Sequence, residues 1–248
     1  MKSLKTGFLI FAVIFTAVGT VQVRAQDEDA VALLKKMDDV MYSSKDMTGL
    51  NKIVLINKNG KESVREATIA QKGTDKRLFR FTKPASQAGI SVLSLPNDVM
   101  YLYMPAFGKE RRISSSVKNQ KFAGTDFSYD DMESKLFSQK YSPRLIDTRD
   151  NVYVLKLLPK SKKSAYSKVI LYLNKKYFYP EKMEYYDKGN HKVKEAVYTF
   201  KKIGNYWNAS QIVMKDLKKN HTTKMIMSGV KYDRGIPDDY FSVRKLKE

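Results

Sequence analysis

The 248-residue chain has no cysteine. That excludes a disulfide framework, a thiolate nucleophile, Cys-ligated zinc, an iron–sulfur cluster and a lipid anchor on an N-terminal Cys. It has two histidines, His191 and His221, which lack metal-ligand spacing. No phosphate-binding Gly-rich loop and no Gly-x-Ser-x-Gly elbow occurs. After the N-terminus no apolar run reaches the eighteen residues that a spanning helix needs. Acidic residues are scarce as well, 26 against 46 Lys and Arg, for a formal net charge of +20.

Apolar residues make up 42% and aromatics 12% of the chain, enough for a folded core. The N-terminus reads as an export signal. Lys2 and Lys5 precede the apolar run Phe8–Val18, and Val23-Arg24-Ala25 supplies the small residues of a cleavage site. Cleavage is expected before Gln26, leaving a single domain over 26–248. The charge is concentrated late: residues 151–248 hold 22 basic and 9 acidic side chains. Outside the cytoplasm the matching polyanions are lipid headgroups and envelope polysaccharides, not nucleic acid.

Asp29 reads as an N-cap for a three-turn helix with Ala30, Leu33, Leu34, Met37, Val40 and Met41 on one face. From Leu50 the period changes to that of strands. Asn51–Lys58 and Glu62–Gln71 flank an Asn59-Gly60 turn, and strand-like segments then alternate with turn signals as far as Tyr232. A short helical pattern at Asp130–Phe137 interrupts them. About eleven strands with few helices predict a mainly β fold: one large curved antiparallel sheet or incomplete barrel.

Alternation puts Phe79 and Phe81 on one strand face, and likewise Met183 with Tyr185, Tyr198 with Phe200, and Met225 with Met227. Two short helices cannot cover so large an apolar face. The sheet therefore either closes on itself or keeps an apolar cavity.

Catalytic constellations are thin. Asp126, Asp130, Asp131 and Glu133 form the one notable acidic cluster, without the spacing of a calcium loop, and Asp130 reads equally as an N-cap. Both histidines read as exposed turn residues. No cofactor or metal is expected.

Several segments resemble the outer-membrane lipoprotein-sorting family, the LolA-like periplasmic carriers. They are Arg80-Phe81-Thr82-Lys83-Pro84, Gly89, Tyr101–Pro105, Lys109–Ser114, Phe122–Asp131, Tyr185–Gly189 and Ile236–Ser242. The resemblance implies an incomplete, strongly curved antiparallel β-barrel with an α-helical lid over an apolar cavity that shields acyl chains. It implies an acylated lipoprotein or lipid as cargo, an inner-membrane transporter as donor, an outer-membrane acceptor, no catalytic activity and a periplasmic monomer. The expected cavity lining is Phe79, Phe81, Leu93, Tyr101, Tyr103, Met104, Phe122, Phe127, Met183, Tyr185, Tyr198, Phe200, Met225 and Met227. Either Tyr101 and Tyr103 or Leu102 and Met104 face inward. Leu33, Leu34, Met37 and Met41 are expected in the lid, and Arg111 and Arg112 as lid or headgroup contacts. Two other readings stand beside this one. One is a basic module that binds envelope polyanions without a lipid cavity; the other is a hydrolase using Asp126 with Asp130 or Glu133.

Overall fold

The structure, a computed structural model, describes residues 18–248, with side chains from Asp29 onward. The apolar core of the expected export signal, 8–17, lies outside the described residues.

Among the described residues thirteen strands form one antiparallel sheet. They are β1 (Asp46–Ile56), β2 (Glu62–Lys72), β3 (Lys76–Lys83), β4 (Ser91–Leu95), β5 (Val99–Met104) and β6 (Lys109–Arg112). After an insert come β7 (Tyr141–Thr148), β8 (Val152–Pro159), β9 (Tyr166–Asn174), β10 (Pro180–Asp187), β11 (Lys192–Ile203), β12 (Tyr206–Asp216) and β13 (His221–Tyr232). The total exceeds the expected eleven by two, and β1 starts at Asp46, upstream of the expected start at Asn51.

The sheet order is β6-β5-β4-β3-β2-β1-β13-β12-β11-β10-β9-β8-β7. Its two edges, β6 and β7, are consecutive in the chain and do not pair. The barrel is therefore incomplete, and the insert 113–140 joins one edge to the other. An open sheet leaves unpaired backbone groups at its edges; here that cost falls on β6 and β7, beside the insert.

The insert holds two one-turn helices, α2 (Tyr129–Met132) and α3 (Phe137–Lys140). The sequence pattern predicts a single helix there. The chain turns extended at Glu133 and Leu136 because other contacts capture it: Lys118 Nζ lies 2.6 Å from Glu133, and the Ser134 N–H donates to Ser94 Oγ at 3.0 Å. The N-cap of α2 is Ser128, not Asp130. Ser128 and Asp131 exchange hydrogen bonds as a capping box.

The N-terminal helix, α1, spans Val18–Met41, so Asp29 lies inside it rather than at its cap. Residues 18–25, upstream of the expected cleavage position, continue the same helix. Ala30, Leu33, Leu34 and Met37 are buried with the sheet's inner face, while Val31, Lys35, Lys36 and Asp39 face outward. The side chain of Asp38 is buried; it accepts the N–H groups of Phe137 (2.8 Å) and Ser138 (2.9 Å) and so ties α1 to α3. Burial pushes the Asp38 carboxyl up, against the opposing effect of those donors.

A smaller core lies on the outer face of β2–β5. Ala70, Leu78 and Leu93 pack there against Ile236, Phe241 and Leu246 of the C-terminal tail, which ends in α4 (Val243–Leu246). The tail is anchored where the Asp46 carboxylate accepts the N–H groups of Arg234, Gly235 and Ile236 at 2.8, 2.9 and 3.1 Å. Further along, Ser91 Oγ donates to the Leu246 carbonyl at 2.5 Å.

Candidate functional site: an apolar cavity beneath a helix

The inner face of the sheet is not filled. Beneath the C-terminal end of α1 lies a cavity of about 210 Å³. Met41 reaches it from the end of α1, Tyr42 from the turn just after it, and Phe137 from α3. Met47, Met225 and Met227 line it from the central strands β1 and β13, and Tyr185, Tyr198 and Phe200 from β10 and β11. The wall is therefore methionine and aromatic carbon, which adapts to flexible apolar chains. Burial pushes the Tyr185 and Tyr198 hydroxyls well above the ordinary phenol range.

Polar groups interrupt this wall. Asn51 and Gln71 are buried there; Gln71 Oε1 accepts from Arg77 Nη2 at 2.7 Å. Asn208 accepts from Tyr232 Oη at 3.1 Å.

The insert forms one end of the site. Phe122 is fully buried, with ring centroids 5.5 Å from both Phe79 and Phe81. A tight turn presents it. Ala123 and Gly124 have φ of 45° and 74°, and the Phe122 N–H closes onto the Phe127 carbonyl at 2.8 Å. The left-handed backbone explains glycine at 124. Arg65 Nη1 donates to the Ala123 carbonyl.

Asp126 then fastens the turn to the sheet. It is fully buried: its Oδ2 accepts from Thr223 Oγ1 at 2.8 Å and lies 2.5 Å from His221 Nδ1, and its Oδ1 lies 2.7 Å from Lys121 Nζ. Lys121 also reaches Asp216 at 2.8 Å. His221 is thus an internal partner, not the exposed turn residue that its neighbours Lys218, Lys219 and Asn220 imply. The other acids are equally occupied, Asp130 by Lys140 at 2.8 Å and Glu133 by Lys118. Burial alone would lower the Lys140 ammonium, but Asp130 and Glu133 outweigh it and hold the group above its ordinary value. Each acid therefore has a structural partner. Among the described residues no group of three or more His, Asp or Glu is placed to hold a metal ion.

The fold has solved counterparts. A structure described as an outer membrane lipoprotein-sorting protein domain from Vibrio parahaemolyticus is 26% identical, with a TM-score of 0.83 over 90% of this chain and 100% of that one. A DUF1329 family protein from Desulfovibrio piger is also 26% identical, with a TM-score of 0.82 over 89% and 99%. A LolA superfamily protein from Nitrosomonas europaea, 24% identical with a TM-score of 0.74 over 87% and 98%, shares the fold. A family model described as "Uncharacterized protein" matches residues 73–248. This chain belongs to the family of that model and has the fold of the LolA-like outer-membrane lipoprotein-sorting proteins. No curated protein matches it.

In this LolA-like chain the expected lining residues separate into three groups. Phe79, Phe127, Tyr185, Tyr198, Phe200, Met225 and Met227 line the cavity. Phe81, Phe122 and Met183 share the inner face but are packed into the solid core beside it. Leu93, Tyr101 and Tyr103 are on the opposite face, against the C-terminal tail. Along β5 the inward residues are Met100 and Leu102, and strand alternation puts Met104 on that side, half-buried at the strand end. The placement of Leu93, Tyr101 and Tyr103 corrects the expectation. A second apolar layer, supplied by the tail, makes both faces of β4 and β5 read as core.

Of the lid residues, Leu33, Leu34 and Met37 are buried and Met41 lines the cavity. Arg111 and Arg112 are exposed on β6, with Arg111 over the Phe107 ring at 5.2 Å; among the described residues neither makes a hydrogen bond or ion pair with α1. Sequence reading missed Asn51, Gln71, Trp207, Ile212 and Tyr232 as cavity residues. Polar or irregular positions near strand ends and bulges carry no alternation signal that would find them.

A second concavity, a polar groove of about 590 Å³, lies on the other side of the α2–α3 segment. Asp130, Glu133, Lys135, Lys140 and Tyr141 line both spaces and form their common wall.

Proposed function

We propose that this protein is a periplasmic carrier that shields acyl chains of a lipoprotein or lipid in the cavity beneath α1 and moves them toward the outer membrane. The observation that carries the reading is a Met- and aromatic-lined cavity on the concave face of an open sheet, roofed by one amphipathic helix. Each methylene moved from water into such a site contributes about 0.8 kcal/mol, so about five give roughly a thousandfold in affinity. A carrier of this kind needs no nucleophile, metal or redox group.

The cavity volume bears on mechanism. Ligand sites usually span about 300–1,000 Å³. At about 210 Å³ the present space is below that range. Loading requires α1 to shift or the methionines to change rotamer. Among the described side chains of α1, Asp38 makes the hydrogen bonds to α3 and Lys36 lies over the Phe178 ring at 4.8 Å, while Ala30, Leu33, Leu34 and Met37 make non-directional apolar contacts; we take the Asp38 link as the hinge for such a shift. Among the described residues no helix is long and apolar enough to cross a membrane. The export signal expected over 1–25 supports reading the carrier as periplasmic, and in this proposal it takes cargo from an inner-membrane donor and passes it to an outer-membrane acceptor.

Uptake of a fluorescent acylated peptide tests this directly. Wild-type protein takes up the probe. Ala209→Trp, which fills the cavity from β12, lowers uptake at least tenfold while the protein stays folded by circular dichroism. Equal uptake by the two proteins contradicts the assignment of this cavity.

A further inference from the structure

The polar groove beside the cavity has a charge imbalance that its own acids do not remove. Three carboxylates line it, and each is already matched by a lysine: Asp98 by Lys135 at 2.5 Å, Asp130 by Lys140 at 2.8 Å, and Glu133 by Lys118 at 2.6 Å. Three further cations line the same groove without a carboxylate. Arg112 makes no ion pair among the described residues. Lys160 Nζ donates to the Ser138 carbonyl at 2.7 Å and Lys163 Nζ to Ser115 Oγ at 3.0 Å, and neither ammonium has a carboxylate partner among the described residues.

These cations come from separate elements, β6 for Arg112 and the β8–β9 loop for the two lysines. The insert that follows β6 is joined to the β8–β9 loop: Asn119 Nδ2 donates to the Lys163 carbonyl at 2.8 Å, and the Ala165 N–H donates to Asn119 Oδ1 at 3.2 Å. The concavity is therefore built before any ligand arrives. Ser114, Ser115, Ser161 and Ser164 add hydroxyl donors to its lining. A planar guanidinium, two ammonium groups and several hydroxyls together suit a phosphate group, which offers several acceptor oxygens and a full negative charge.

We propose that this groove is a phosphate-binding site adjacent to the acyl cavity, reading the headgroup of an anionic phospholipid whose chains occupy the neighbouring space. The proposal rests on the carrier reading for the chains, because the shared wall of Asp130, Glu133, Lys135, Lys140 and Tyr141 is what places headgroup and tail side by side. Free inorganic phosphate has the same chemistry and is the second source that the test separates.

The test is calorimetric titration of the full-length protein at low salt with three probes: dihexanoylphosphatidylglycerol, uncharged dihexanoylglycerol and inorganic phosphate. Exposed charge contacts are individually weak, so three together give about tenfold. Wild type is expected to bind the phospholipid about tenfold more tightly than the uncharged lipid, and the triple variant R112A/K160A/K163A to lose that difference. The single variants R112A and K163A, each expected to lose two- to threefold, carry the test if the triple variant does not fold. Equal affinity of wild type for both lipids overturns the headgroup site and leaves the carrier reading intact. Binding of inorganic phosphate, sensitive to the same variants, without uptake of either lipid supports the phosphate site and overturns the carrier reading. No binding of any probe overturns both.

Discussion

Phe122 and Asp126, four residues apart in one turn, do opposite jobs. Phe122 fills the inner core against Phe79 and Phe81, while Asp126 occupies Thr223, His221 and Lys121. Phe122→Ala removes a fully buried ring and is expected to cost about 3–5 kcal/mol of stability, measured by urea unfolding. Asp126→Ala leaves Thr223 and His221 without this acceptor and Lys121 with Asp216 alone, and is expected to cost about 1–3 kcal/mol. A change below 0.5 kcal/mol in either variant contradicts this account of the turn. The two residues also differ in how far sequence reveals them. The inward placement of Phe79 and Phe81 follows from simple alternation, and the family resemblance marks the Phe122–Asp131 segment. The partners of Asp126 on β13 follow from neither, because Thr223 and His221 are remote in sequence and a lone histidine among lysines reads as solvent-exposed.

At the scale of elements, the strand segments were legible because each is bounded by a turn that breaks the period. Gly189-Asn190 is one such turn, and Asn190 there has φ of 64°. The adjoining Asp187 gives a pH prediction. Lys218 Nζ at 2.8 Å, together with the His191 N–H at 3.0 Å, holds the Asp187 carboxyl down to about 2. That is below the ordinary unfolded value of about 4, so the fold favours the ionised form. Its stabilisation is fully present above about pH 4 and disappears as pH falls through about 2. Wild type should therefore exceed Asp187→Asn in urea midpoint at pH 6, and the two should converge near pH 2. A constant gap across that range contradicts the assignment.

The helices were less legible. The split between α2 and α3 depends on Lys118, Ser94 and Asp38, all distant in sequence. Asp38→Ala removes the two hydrogen bonds that link α1 to α3. It should cost about 1 kcal/mol, as the loss of a helix cap does. Faster amide exchange along α1 should accompany it, and unchanged exchange would contradict the hinge role of Asp38.

For the whole molecule, the decisive feature is that both sheet edges lie next to each other in the chain and only the insert 113–140 joins them. That arrangement leaves one concave apolar face partly uncovered, with α1 above it and the polar groove beside it. Sequence showed too many apolar strand faces for too few helices. It did not show which faces, because the C-terminal tail covers the outer side of β2–β5 with an apolar layer of its own.

Native mass spectrometry of the protein purified from its own envelope, followed by lipid extraction, tests the central claim most directly. The account predicts one bound acylated species at near one-to-one occupancy, lost in Ala209→Trp. A clean unliganded mass, with no uptake of added phospholipid or acylated peptide, would contradict it.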